Sequence, residues 1–156
     1  MTNEKPAEEG ASLLLDEQLC FALYAAHRAV TAAYRPLLDE LGLKYPQYLV
    51  LLVLWDRGET TVKELASALR LDYGTMSPLL KRLETAGLVH RARAAHDERT
   101  VLIALTGRGE ELRERAAVLP GALLSVAELS GPEAAHLRAT LWQLAGRADA
   151  AAEKAR

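Results

Sequence analysis

Apolar residues in the first part of the chain recur with helical spacing. Leu19, Leu23, Ala26, Val30 and Ala33 fall three or four apart, which predicts a long first helix over roughly 13–34 that ends before Pro36. "PLLDELGL" (36–43) reads as a short second helix closed by Gly42. Pro46 suits the first position of a third helix, and Gly58 follows its end. "TVKE" (61–64) has the spacing of a capping box, with Thr61 accepting from the backbone and Glu64 reaching back, and opens a fourth helix over about 61–70. A fifth is predicted from about 73 to 86, ended by Gly87. Its Met76, Leu79, Leu80 and Leu83 form an i, i+3, i+4, i+7 stripe that can pack on the fourth.

The period then changes. "LVHRARAAHDERTVLIALT" (88–106) contains two short β-prone runs around the polar loop "AHDE" and predicts a hairpin. Helix returns over about 107–128 with an interruption near Pro120–Gly121. "SGPE" (130–133) is a second capping box, opening a last helix to about 148. Residues 1–11 read as a loose tail and "ADAAAEKAR" (148–156) as a fraying end; no internal repeat is visible. Helices, a short turn, a further helix and a hairpin, in that order, are a winged helix-turn-helix. The expected fold class is mainly α with a small β-hairpin wing.

Composition agrees with this pattern. A chain of 156 residues suits one domain, 50% hydrophobic content is ample for a core, and 5% aromatic residues amid abundant Ala and Leu favour helices. The net charge of −2 does not advertise a nucleic-acid partner, yet residues 61–99 carry seven Lys/Arg against five Asp/Glu. One cysteine excludes an intrachain disulfide and an all-cysteine metal site. "MTNEKPAEEGAS" lacks the apolar centre of a signal peptide, and "YLVLLVLW" (48–55) is too short to span a bilayer, so the expectation is a cytoplasmic protein with no membrane partner. His90, His96, Asp97 and Glu98 read as a solvated hairpin tip, not a metal site. No phosphate loop, paired-carboxylate site or nucleophile elbow is visible, so neither a cofactor nor an independent enzyme is expected.

The face of the fifth helix opposite its apolar stripe carries Tyr73, Thr75, Ser77, Lys81 and Arg82, side chains able to donate to phosphates and base edges of double-stranded DNA. Pro78 fits near the start of that helix, where a missing N–H costs little. The hairpin adds Arg91, Arg93 and Arg99, and Asp97 is placed to hold the Arg99 guanidinium for minor-groove insertion.

"LDYGTMSPLLKRLETAGLVHRARAAHDERTVLIALTGRGEEL" (71–112) resembles the DNA-binding lobe of a MarR-family regulator, with the "DER" wing motif at 97–99. "QLCFALY" (18–24) and "LKYPQYLVLLVLW" (43–55) resemble the narrower OhrR branch, sensors of organic hydroperoxides. The resemblance covers roughly residues 13–148. It implies a lobe over about 46–106, dimerisation helices over about 13–34 and 107–148, a homodimer on a pseudo-palindromic operator, and a repressor. It also implies a redox-sensing Cys20 supported by Tyr34 and Tyr45, with Tyr24 as a nearby aromatic and a small cellular thiol as resolving partner. Some relatives carry a second, resolving cysteine on a later helix; here Ser125 lies near that position.

Geometry constrains this picture. Cys20 and Tyr24 are i, i+4 and can touch, but Tyr34 is fourteen residues on, about 21 Å along a straight helix. It cannot reach the sulfur of its own chain by that route, whereas an antiparallel first helix from a second subunit could bring it there. A lone cysteine on an apolar helix face is, by itself, more often a small inert hydrophobe. Three readings therefore stand: a hydroperoxide-sensing repressor, a MarR-type regulator answering a non-covalent phenolic ligand, and a thiol peroxidase using Cys20. The wing and recognition helix argue against the third.

Overall fold

A computed structural model describes residues 12–156; the loose tail expected for 1–11 lies outside the described residues. After a 3-10 turn at Leu15–Glu17, α1 runs Leu19–Asp39 and passes straight through Pro36, absorbing the separate second helix that the sequence suggested. An interior proline costs an isolated helix about 3 kcal/mol. Burial of Leu38 and of the Tyr34 ring in the turns around it offsets that cost. The helix ends in a Schellman motif: Leu43 N–H donates to the Leu38 carbonyl and Gly42 N–H to that of Asp39, with Gly42 at φ +69°.

Helix α2 (Tyr45–Arg57) has Pro46 in its first turn, and the Gln47 side chain accepts from the Lys44 N–H at 2.8 Å. A strand the sequence did not announce, β1 (Thr60–Thr61), comes before α3 (Val62–Leu69). Thr61 and Glu64 form the expected capping box, at 3.1 and 3.0 Å. Helix α4 (Tyr73–Thr85) is capped by Asp72, whose carboxylate accepts from Thr75 N–H at 2.7 Å. Gly87, at φ +75°, then turns the chain into β2 (Val89–Ala94) and β3 (Asp97–Leu105). The sheet is antiparallel in the order β1-β3-β2, with Thr60 opposite Ile103 and Val89 opposite Leu105.

The C-terminal part departs from expectation twice. The break after α5 (Gly107–Ala116) falls at Ala117–Val118, and Pro120 sits in the first turn of α6 (Leu119–Val126), where proline starts a helix rather than interrupting one. Helix α7 (Gly131–Lys154) opens with the predicted Ser130–Glu133 capping box and continues past residue 148, so the expected fraying end is helical. The core gathers Met76, Leu80 and Leu83 of α4 with Leu51, Leu54, Leu65 and Ile103, all fully buried. No helix among the described residues is long and apolar enough to cross a membrane.

Candidate functional site

With Met76, Leu79, Leu80 and Leu83 turned into the core, α4 exposes Tyr73, Thr75, Ser77, Pro78, Lys81 and Arg82 together. Pro78 is the sixth residue of α4, not part of its first turn, so it forfeits the bond to the Gly74 carbonyl. On the wing, Arg91 engages Glu84 of α4 through its N–H (3.2 Å) and its guanidinium (3.9 Å), while Arg93 Nη1 donates to the Glu98 carbonyl at 2.7 Å. Asp97 does not hold the Arg99 guanidinium. Its carboxylate accepts from the Arg99 backbone N–H (2.9 Å) and the Thr100 hydroxyl (3.2 Å), because a short Asp side chain at the start of β3 reaches the main chain two residues on. Asp97 thus shapes the wing tip. Among the described residues no carboxylate lies within ion-pair distance of Lys81, Arg82 or Arg99, leaving these cations open to a polyanion.

A second cluster lies at the other end of the chain's architecture. Cys20 is the second residue of α1 and is exposed. The N-cap residue Gln18 makes no side-chain cap; its amide donates backwards to the carbonyls of Ser12 and Leu14, both at 2.9 Å. The first-turn N–H groups beside Cys20 therefore lack that partner, a setting that favours a nearby anion. One turn on, the Tyr24 hydroxyl accepts from Arg28 Nη1 at 2.8 Å, with the guanidinium over its ring.

Tyr34 lies fourteen residues beyond Cys20 on the same helix, so α1 itself holds the two apart. The structure brings together Tyr34 and Tyr45, with ring centroids 5.8 Å apart, and adds Tyr48 at 6.1 Å from Tyr34 and His27 at 6.2 Å from Tyr45. Tyr48 was missed by sequence reasoning, although its i, i+3 spacing from Tyr45 in "YPQY" puts both on one helix face. Burial raises the pKa of all three phenols above the ordinary 10; Tyr45 adds to the rise at Tyr34, and Tyr34 and Tyr45 help push Tyr48 to about 12. All three stay protonated donors at neutral pH. Their hydroxyls bond to no described residue, and none is sealed away unpartnered, so they open onto accessible space.

Between α1, α6 and α7 runs an apolar groove of about 490 Å³, lined by Val30, Leu123, Leu137, Leu141 and Trp142 among others. Leu19, Leu23 and Val30 of α1 and Leu137, Leu141 and Trp142 of α7 are all substantially exposed. Where α7 meets the turn between α3 and α4, Arg70 pairs with Asp149 at 2.9 Å and covers the Trp142 ring.

Residues 32–116 match the family described as transcriptional regulator SarA/Rot. The chain is 48% identical to the organic hydroperoxide resistance transcriptional regulator of Bacillus subtilis over 130 residues, 83% of this chain and 88% of that protein. It is a MarR-type regulator of this family. Two solved structures of a staphylococcal family relative, AbfR, share the arrangement. Reduced AbfR bound to DNA is 34% identical with a TM-score of 0.71, covering 85% of this chain and 92% of that one. Overoxidised AbfR bound to DNA gives 34% and 0.70, covering 85% and 93%. Helix α4 and the β2–β3 hairpin described above are the helix and wing of this MarR-type winged-helix fold.

Proposed function

We propose that the protein is a dimeric repressor that leaves its operator when an organic hydroperoxide oxidises Cys20. The observation that carries this reading is the separation of Cys20 from the tyrosines along one exposed apolar helix. A second α1, antiparallel to the first, buries that stripe and sets the open phenols of Tyr34 and Tyr45 beside the partner's sulfur, with Tyr24 as a flanking aromatic. In this reading the lobe over about 46–106 reads DNA and the helices over about 13–34 and 107–148 form the dimer. Tyr73, Thr75 and Ser77 reach base edges at the N-terminal end of α4, with Pro78 beside them on the same exposed face. Lys81 and Arg82 meet phosphates, and Arg91, Arg93 and Arg99 carry the wing, whose tip Asp97 orders.

The chemistry follows from the residue set. The Cys20 thiolate attacks one peroxide oxygen, the O–O bond breaks, and the departing alkoxide takes a proton to leave as an alcohol. Sulfur has lost two electrons and is a sulfenic acid; the phenols steady the thiolate before attack. With no second cysteine in the chain, a small cellular thiol condenses with the sulfenic acid, releasing water and leaving a mixed disulfide. A further thiol restores Cys20. The relative AbfR has been solved on DNA while overoxidised. That supports bulk at the sulfur, rather than added oxygen alone, as the force that separates the lobes. Oxidation here is a signal and not turnover, which sets the reading apart from an enzyme.

A second reading has its own observation, the α1–α6–α7 groove, which would suit a phenolic ligand. One gel-shift titration separates the two. Reduced protein should bind the operator, hydroperoxide plus small thiol should release it, and Cys20→Ser should bind yet ignore the oxidant. Release of Cys20→Ser by hydroperoxide would overturn the redox reading, and release of that variant by a phenol would install the other.

A further inference from the structure

We infer that Trp55 is the positioning residue through which the tyrosine cluster moves the recognition helix α4, by way of its indole hydrogen bond to Gly109. The inference rests on the redox reading above and specifies how its signal leaves the sensor. Helix α2 carries Tyr45, Tyr48 and Trp55, and the last two are seven residues apart, two turns along one face. Tyr34 meets Tyr48, and the Tyr48 ring stands edge-on to Trp55 at 6.4 Å. Trp55 Nε1 then donates to the Gly109 carbonyl at 2.9 Å, across fifty-four residues of sequence.

Gly109 sits where no side chain would fit. Any side chain there would collide with the Leu88 carbonyl oxygen and crowd the Leu105 side chain, so the α5 backbone rests directly on the root of the wing. The first turn of α5 is also tied to the end of α4. Gly109 N–H donates to the Thr106 hydroxyl (3.2 Å), that hydroxyl donates to the Gly87 carbonyl (2.6 Å), and Thr106 N–H donates to the Leu88 carbonyl (3.0 Å). A shift of Tyr34 or Tyr45 at the sensor is thus met at one end by packed rings and at the other by a backbone contact without slack. Close-packed elements of this kind switch between discrete arrangements instead of deforming gradually. The indole N–H is the part of Trp55 that matters: a phenylalanine keeps a ring packed against Tyr48 but has no donor for the Gly109 carbonyl.

Trp55→Phe tests this with a split that a merely structural role would not produce. In the full-length dimer, loss of free thiol on hydroperoxide treatment should follow the parent's rate, and the reduced variant should bind operator within about threefold of the parent. The drop in operator affinity on oxidation should be at least tenfold smaller than the parent's. A drop equal to the parent's overturns the relay while leaving the redox reading intact. A parent that itself stays on the operator after oxidation overturns the redox reading, and the relay with it.

Should Trp55→Phe fail to fold, ¹⁵N-labelled parent protein answers instead. The two tryptophans give two indole N–H resonances, assigned with Trp142→Phe. The Trp55 resonance should move when hydroperoxide and a small thiol are added and stay fixed in Cys20→Ser. A Trp55 resonance that does not move in the parent, while its DNA is released, refutes the inference.

Discussion

Among the described residues, the buried hydrophobic side chains all fall between Tyr34 and Leu119, whereas α7 buries none of its twenty-four residues. Helix α1 buries only Tyr34 and Leu38, both in its last two turns. The two regions use the same device, an apolar stripe at helical spacing. In α4 the stripe of Met76, Leu79, Leu80 and Leu83 closes on α2, α3 and the sheet; in α1 and α7 it faces outward. Periodicity therefore announces that a face will be covered without saying by what. Contiguous apolar surface of this kind marks an interaction face, and two terminal helices offering it side by side suit a second copy of the chain.

The contrast is broken most directly by charging the outward stripe. Leu137→Glu with Leu141→Glu should separate the dimer and cost operator affinity a factor on the order of 10²–10⁴, the usual gain from linking two binding modules. Circular dichroism should still report a folded lobe. Sedimentation and gel shift would check this, and a dimer that survives both charges would show that α7 is not the interface. Leu80→Ala is the control from the other region: about 2–5 kcal/mol of stability lost through a core cavity.

A pH titration sharpens the comparison where the two regions meet, at the tyrosine cluster. The folded state raises Tyr48 from 10 to about 12. Below pH 10 the phenol is protonated in both states, so it contributes no pH dependence to stability. Between 10 and about 12 only the unfolded chain loses the proton, and stability falls by on the order of 2–3 kcal/mol. Phenolate absorbance should accordingly show Tyr48 titrating late, together with the unfolding transition. A full set of tyrosines titrating near 10 in the native protein would mean the Tyr48 ring is not buried as described.

How much of this was legible depends on the range over which each feature is encoded. The capping boxes at Thr61 and Ser130 need only three residues of spacing, and both stand as read. Pro36 misled because its local cost is outweighed by burial of Leu38, which pattern alone does not weigh. Strand β1, two residues long, has no period to detect; it exists because β3 extends beside it. At the sensor, Cys20, Tyr34 and Tyr45 were reached through family resemblance, and the structure adds the pairing of Tyr34 with Tyr45. Tyr48 and Trp55 sat in the same apolar run as ordinary core residues. Their partners are set by tertiary packing, with Gly109 fifty-four positions away.

The smallest expected effect concerns the clasp between the two regions, Arg70 with Asp149 and Trp142. Both charged side chains are more than half exposed, at 54% and 55%, so the ion pair contributes at most about 1 kcal/mol and the ring contact about 0.5–1. Arg70 also stands in the left-handed region at φ +56°, a conformation that costs a side chain about 1–2 kcal/mol and glycine almost nothing. The two contributions oppose each other. Arg70→Ala should lose the clasp and keep the backbone cost, lowering stability by about 1 kcal/mol in low salt and by less in 1 M NaCl, where the pair is screened. Arg70→Gly loses the same clasp but is relieved of the backbone cost, and should unfold within about 0.5 kcal/mol of the parent. Urea denaturation of the three proteins at two salt concentrations decides the matter. If glycine proves no better than alanine, the left-handed strain is not what Arg70 carries, and the clasp must account for all of its effect.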